Sequence, residues 1–234
     1  MNIYRIADYV FRIAGQRDLE NIDKAKELFT KIHKWFVKNK NNLGRYFKYN
    51  SQGLYIIEVG RMTDGYDDLF LALDKSGNKS GIGKVGGKQV IVIAILDEKG
   101  IDNPWLFNWI QTYEKVFVHE LTHYFDDLRR KGKPSRKEDY NRIMTDEGYP
   151  EYYNLPNEVN AYFQEAASEL ISYFRNKTIR KKLLTNFRMF SKQFWKLAQH
   201  DFVKHLNPKN RRHVEKRIYT LYEKLVEKEN KGDS

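Results

Sequence analysis

The chain contains no cysteine. Disulfide scaffolds, thiolate zinc sites and cysteine nucleophiles are therefore excluded, and any metal must be held by imidazole and carboxylate. No apolar run approaches the length of a bilayer span. Asp8, Arg12 and Arg17 interrupt the N-terminal stretch where a signal peptide would need continuous apolar residues. A cytoplasmic location is the expectation from these absences, although a cysteine-free chain also suits an extracellular site reached by another route. Net charge is absent from most of the chain: residues 1–174 hold 25 basic and 25 acidic side chains. The whole excess of +11 sits in residues 175–234, with 17 basic against 6 acidic side chains. That asymmetry suits a solvated basic helical face, or a surface for an acidic partner or nucleic acid. No arginine-rich run or nucleic-acid motif accompanies it.

What the chain does have is enough apolar and aromatic content, 41% and 15%, to build a folded core. Its organising stretch is Trp105 to Leu128. Apolar residues from Leu106 through Phe117, Leu121 and Tyr124 to Leu128 recur at helical spacing, with Pro104 after Asp102 or Asn103 as a start signal and Gly132 and Pro134 as a stop. Inside it stands His119-Glu120-Leu121-Thr122-His123, an H-E-x-x-H pattern. On a helix, His119 and His123 lie one turn apart on one face, so both imidazoles can reach a single ion. Glu120 lies beside them, where a carboxylate can take a proton from a water held at that ion. Two imidazoles and a carboxylate within an apolar helix are costly unless something pairs with them, and zinc would pair with all three.

A catalytic zinc takes three protein ligands and keeps one open position. Glu158, in Leu155-Pro156-Asn157-Glu158-Val159, is the preferred third ligand. Pro156 and Asn157 start a new helix there, with Val159, Tyr162, Phe163 and Ala166 as its apolar stripe. Glu165 is the rival, with Glu169 one turn on.

These residues resemble the gluzincin group of zinc metallopeptidases, the thermolysin-like enzymes, in a small form of the kind that phages and bacteria encode. His-Glu-Leu-Thr-His stands as it does in that group, Asp127 matches an acidic position just beyond it, and Asn157-Glu158 begins the second motif. Tyr162 departs from the pattern, standing both where an alanine closes that motif and where an aspartate would buttress a ligand histidine. The buttress would then be Asp126 or Asp127. The resemblance covers roughly residues 88 to 170 and is confined to motifs. It implies a Tyr or His that stabilises the oxyanion. Tyr149, Tyr152 and Tyr153 precede Glu158, and Tyr153, the nearest that remains outside the ligand turn, is the choice.

Elsewhere, residues 2–14 and 18–39 read as two helices. Residues 45–49, 54–59, 69–73 and 89–96 read as strands of a small antiparallel sheet. Gly81, Gly83 and Gly86 match a dinucleotide fingerprint by spacing, but they lead into a strand and open no helix, so residues 77–87 read as a flexible hairpin loop. Three further helices are expected near 157–174, 179–199 and 209–227. The expected fold is α+β and zincin-like, a small antiparallel sheet packed on the H-E-x-x-H helix with a helical C-terminal subdomain. Its segments are 1–44 (N-terminal helices), 45–174 (catalytic core) and 175–234 (basic helices). The expected activity is zinc-dependent hydrolysis of a protein or peptide substrate, with Zn2+ on His119, His123 and Glu158, Glu120 as general base and Tyr153 at the oxyanion. Two alternatives stand beside it: a catalytically inactive zincin-fold binding or virion-structural module whose basic helices hold an acidic partner, and a nucleic-acid-binding protein with structural histidines.

Overall fold

A single helix, α1 (Ile3–Asn39), takes the place of the two expected at the N-terminus. Gly15 stands in the expected gap, and one glycine inside a helix costs only about 1 kcal/mol relative to alanine, too little to break it. The computed structural model describes residues 3–49, 54–74, 81–85, 88–94, 114–129 and 149–231. Further helices are α2 (Glu114–Arg129), the one-turn α3 (Tyr149–Tyr152), α4 (Pro156–Ser172), α5 (Lys177–Leu184), α6 (Phe187–Leu197), α7 (His200–His205) and α8 (Pro208–Asn230). The strands are β1 (Lys48–Tyr49), β2 (Leu54–Glu58), β3 (Leu69–Asp74), β4 (Gly81–Val85) and β5 (Lys88–Ala94). The class is α+β. No described helix is long and apolar enough to cross a membrane.

By internal contacts the chain divides into two units, one of residues 24–125 and the other of residues 1–23 together with 126–234. The boundaries fall inside α1 and α2, because a helix whose apolar stripe shifts along its length can contribute to two cores.

In the unit of residues 24–125 the sheet order is β1-β2-β3-β5-β4. It is mixed, and the expectation of an antiparallel sheet is corrected at one pairing: β3 and β5 run parallel, Leu71 opposite Ile91. The cause lies in residues 81–85, expected as loop. They form an edge strand, β4, antiparallel to β5, with Val85 opposite Lys88. The glycines of β4 suit an edge, where little side-chain packing is required. The unbroken Val-Ile-Val-Ile of β5 suits a strand with neighbours on both sides, so β5 lies between β3 and β4 and parallel to β3. Ile57, Leu71 and Ile91 form one cross-strand row, and they share a core with Leu28, Phe29, Ile32 and Phe36 of α1 and Phe117, Val118 and Leu121 of α2. Phe29 meets Phe117 edge-on at 5.2 Å. The sheet thus packs on the H-E-x-x-H helix.

The other unit is helical. Ile22 of α1, Phe163, Ala167 and Leu170 of α4, Phe190 and Phe194 of α6, Phe202 of α7 and Ile218 of α8 belong to its core. The single helix expected over residues 179–199 is two. Asn186 ends the first and caps the second, its side chain accepting from the Met189 amide at 3.1 Å. The apolar spacing runs through this break, which is why periodicity alone reads one helix.

Candidate metal centre

α2 carries its own apolar stripe in Phe117, Val118, Leu121 and Tyr124, all buried. Glu114 stands in its first turn, where negative charge suits the helix dipole, and pairs with Lys26 at 3.6 Å. The expected start around residues 102–113 and the stop at Gly132 and Pro134 lie outside the described residues. Held by that stripe, His119, Glu120, Thr122 and His123 are also buried. Thr122 satisfies its hydroxyl by donating to the Val118 carbonyl at 2.7 Å. The two histidines turn the same nitrogen inward: His119 Nε2 and His123 Nε2 lie 3.3 Å apart, their rings nearly perpendicular. Two nitrogens bound to one tetrahedral zinc at ordinary bond lengths are also about 3.3 Å apart. The pair therefore fits a shared ion without rearrangement.

α4 begins at Pro156, whose missing amide hydrogen and fixed φ suit a first helical turn. That places Glu158 in the same turn with 2% of its surface exposed. Asn157 Nδ2 donates to Glu158 Oε1 at 3.1 Å. Tyr152 interacts with the Glu158 carboxylate and with the Tyr162 phenol. Burial pushes both phenols well above their usual range, and the Glu158 charge adds to the effect. Tyr152 consequently keeps its proton and remains a donor. Nothing in the local sequence separates Tyr152 from its neighbours. Tyr153, chosen for the oxyanion, is 1% exposed and lies in the helical core with its ring stacked on His205 at 5.7 Å.

One ligand atom from each of His119, His123 and Glu158 lies within 4.8 Å of the other two, and all three residues are buried. Glu165, the rival, stands two turns further along α4 and is not part of this group. Tyr162, where the gluzincin resemblance would place an aspartate, interacts with Tyr152 and Glu158. Of the two buttress candidates, Asp126 accepts from Asn160 Nδ2 at 2.6 Å. The side chains of Asp127 and Tyr149 lie outside the described residues. Two imidazoles and one carboxylate form a donor set suited to a borderline divalent cation, and with three ligands it leaves a coordination position open. Glu120 is adjacent in sequence to the first of them and equally buried.

No protein-family model matches the chain, and no curated protein or solved structure matches it.

Proposed function

We propose that the protein is a zincin-like, zinc-dependent metallopeptidase of the gluzincin type. One observation carries the reading: the ligand atoms of His119, His123 and Glu158 gather in one buried group, and Glu120, next to His119 in sequence, is buried too. The 3.3 Å between the histidine nitrogens and the mixed donor set fit zinc. Zinc held there would polarise a scissile carbonyl and lower the pKa of water towards ~7. Glu120 takes the proton of the attacking water and delivers it to the leaving amine. Tyr152 orients the Glu158 carboxylate with its single O–H, and stabilisation of a developing oxyanion would fall to the zinc. The substrate is a protein or peptide.

Metal content by elemental mass spectrometry, paired with hydrolysis of a casein and peptide mixture, tests this. Wild type is expected to hold about one zinc per chain, to lose it in Glu158→Ala and keep it in Glu165→Ala. Wild type that takes up no zinc when zinc is supplied would overturn the reading.

A second reading is favoured by a different observation. Pro208, Lys209, Arg212, His213 and Lys216 line an open depression at the start of α8. A zincin-fold binding module would use this basic surface to hold an acidic partner or nucleic acid. Zinc occupancy without hydrolysis, together with salt-dependent polyanion binding, would select it.

A further inference from the structure

A chain of buried and half-buried polar contacts leads from α8 to the end of the H-E-x-x-H helix. Arg217 donates through Nη2 to Asp18 Oδ1 at 2.7 Å and through Nε to Asp18 Oδ2 at 3.2 Å. Its guanidinium lies over the Phe163 ring, 3.8 Å from the centroid. Gln164 Nε2 adds a bond to Asp18 Oδ1 at 2.7 Å. Arg217 Nη2 also reaches Asn160 Oδ1 at 2.8 Å, and Asn160 Nδ2 donates to Asp126 Oδ2 at 2.6 Å. The orientation of the Asn160 amide follows from its neighbours. Guanidinium only donates and ionised carboxylate only accepts, so the oxygen must face Arg217 and the nitrogen Asp126. A flipped amide would lose both bonds.

The positions of these residues give the contacts a use. Asp126 follows His123 by three residues on α2, and Asn160 follows Glu158 by two on α4. Two residues correspond to about 200° around a helix, so a contact at Asn160 fixes the rotation of α4 where a contact at Glu158 alone would not. An ion pair as buried as Asp18–Arg217 is a poor source of net stability, because desolvation offsets most of its attraction; such pairs serve better to specify one arrangement.

We infer that Asn160, held in orientation by Arg217 and Asp18, is a positioning residue for the metal centre. It ties the last turns of α2 to the first turn of α4, so that His119, His123 and Glu158 stand at ligand spacing before an ion arrives. This rests on the metal-centre reading above. Asn160 touches neither ion nor substrate.

The test is zinc affinity, measured by competition with a chromophoric chelator, with thermal unfolding of each metal-free protein recorded alongside. Asn160→Asp keeps the Arg217 contact but sets a second carboxylate against Asp126, and its zinc affinity is expected to fall ~10- to 100-fold. Adding Asp126→Asn exchanges donor and acceptor and remakes the bond, so the double variant should recover to within about threefold of wild type. Asn160→Leu, similar in volume and free of charge conflict, should lose affinity in the same range and serves if Asn160→Asp does not fold. Variants that bind zinc as tightly as wild type, while Glu158→Ala does not, overturn the positioning role and leave the metal centre standing. A double variant that regains thermal stability without regaining affinity also overturns it. Wild type that binds no zinc removes the metal centre, and the positioning role with it.

Discussion

Arg217 holds both carboxylate oxygens of Asp18, at 2.7 and 3.2 Å, across 199 positions of sequence. Both side chains are 7% exposed. Arg217→Met would leave a buried carboxylate with its charge uncompensated. A loss of about 3–5 kcal/mol is expected in urea unfolding. Asp18→Leu combined with Arg217→Met should restore much of that loss, since the unpaired charge is then gone. A double variant as unstable as the single would show that packing, and not charge, sets the cost.

Glu120→Gln replaces a carboxylate that can take a proton with an amide of the same shape that cannot. Zinc content should stay at the wild-type level while kcat falls by about 10²–10⁴. Retained turnover would remove Glu120 from the proposed chemistry.

Tyr152→Phe deletes the hydroxyl on Glu158 and leaves the ring packing in place. Zinc affinity should weaken by ~10-fold or more, in the range measured for outer hydrogen-bond partners of metal ligands. Tyr153→Phe, at the neighbouring core position, should change affinity much less. Equal effects would mean that the two hydroxyls support the site alike.

His213 is held below the usual imidazole value, first by burial and then by the Arg217 and Lys216 charges, with Asp18 opposing them. The folded protein therefore binds this proton less readily than the unfolded chain. The associated stability is fully present above the unfolded pKa of about 6.5 and is lost as pH falls below it. His213→Gln should lose less stability than wild type between pH 7.5 and pH 5.5, read as the shift in urea midpoint. An identical shift in both proteins, or an NMR titration midpoint for His213 above the usual value, would refute this.

Asn186 separates α5 from α6 by accepting the Met189 amide. Asn186→Ala should cost about 1 kcal/mol, as loss of a helix N-cap does. Asn186→Ser, which can still accept that hydrogen bond, should cost much less. A wild-type melting temperature for Asn186→Ala would mean that packing alone imposes the break.

What could be read in the sequence was local. That His119 and His123 share a helix face needed only the 3.6-residue turn, and that Glu158 stands in a first helical turn needed only a start signal at Pro156. The strands near 54–58, 69–74 and 88–94 followed from short apolar runs between turn residues. What could not be read depends on distant segments. The parallel pairing of β3 with β5 follows from where β4 lies, and the glycines that suit β4 to an edge also make it look like a loop. Tyr152 and Tyr153 are neighbours of identical chemistry, and only the path of the chain after α3 decides which hydroxyl reaches Glu158. Nothing in the local sequence singles out Asn160. Its partners Arg217 and Asp126 lie 57 and 34 positions away.

The unit containing Glu158 is built from both ends of the chain, whereas residues 24–125 form a continuous unit. During ribosomal synthesis the continuous unit can complete its core first. The other must wait with Asp18 and Ile22 already made, because Arg217, the partner of Asp18 on α8, follows it by 199 positions. Until Arg217 arrives, Asp18 lacks the cation that makes its burial tolerable. It follows that the contact between Asn160 and Arg217 forms only once the chain has been made as far as α8.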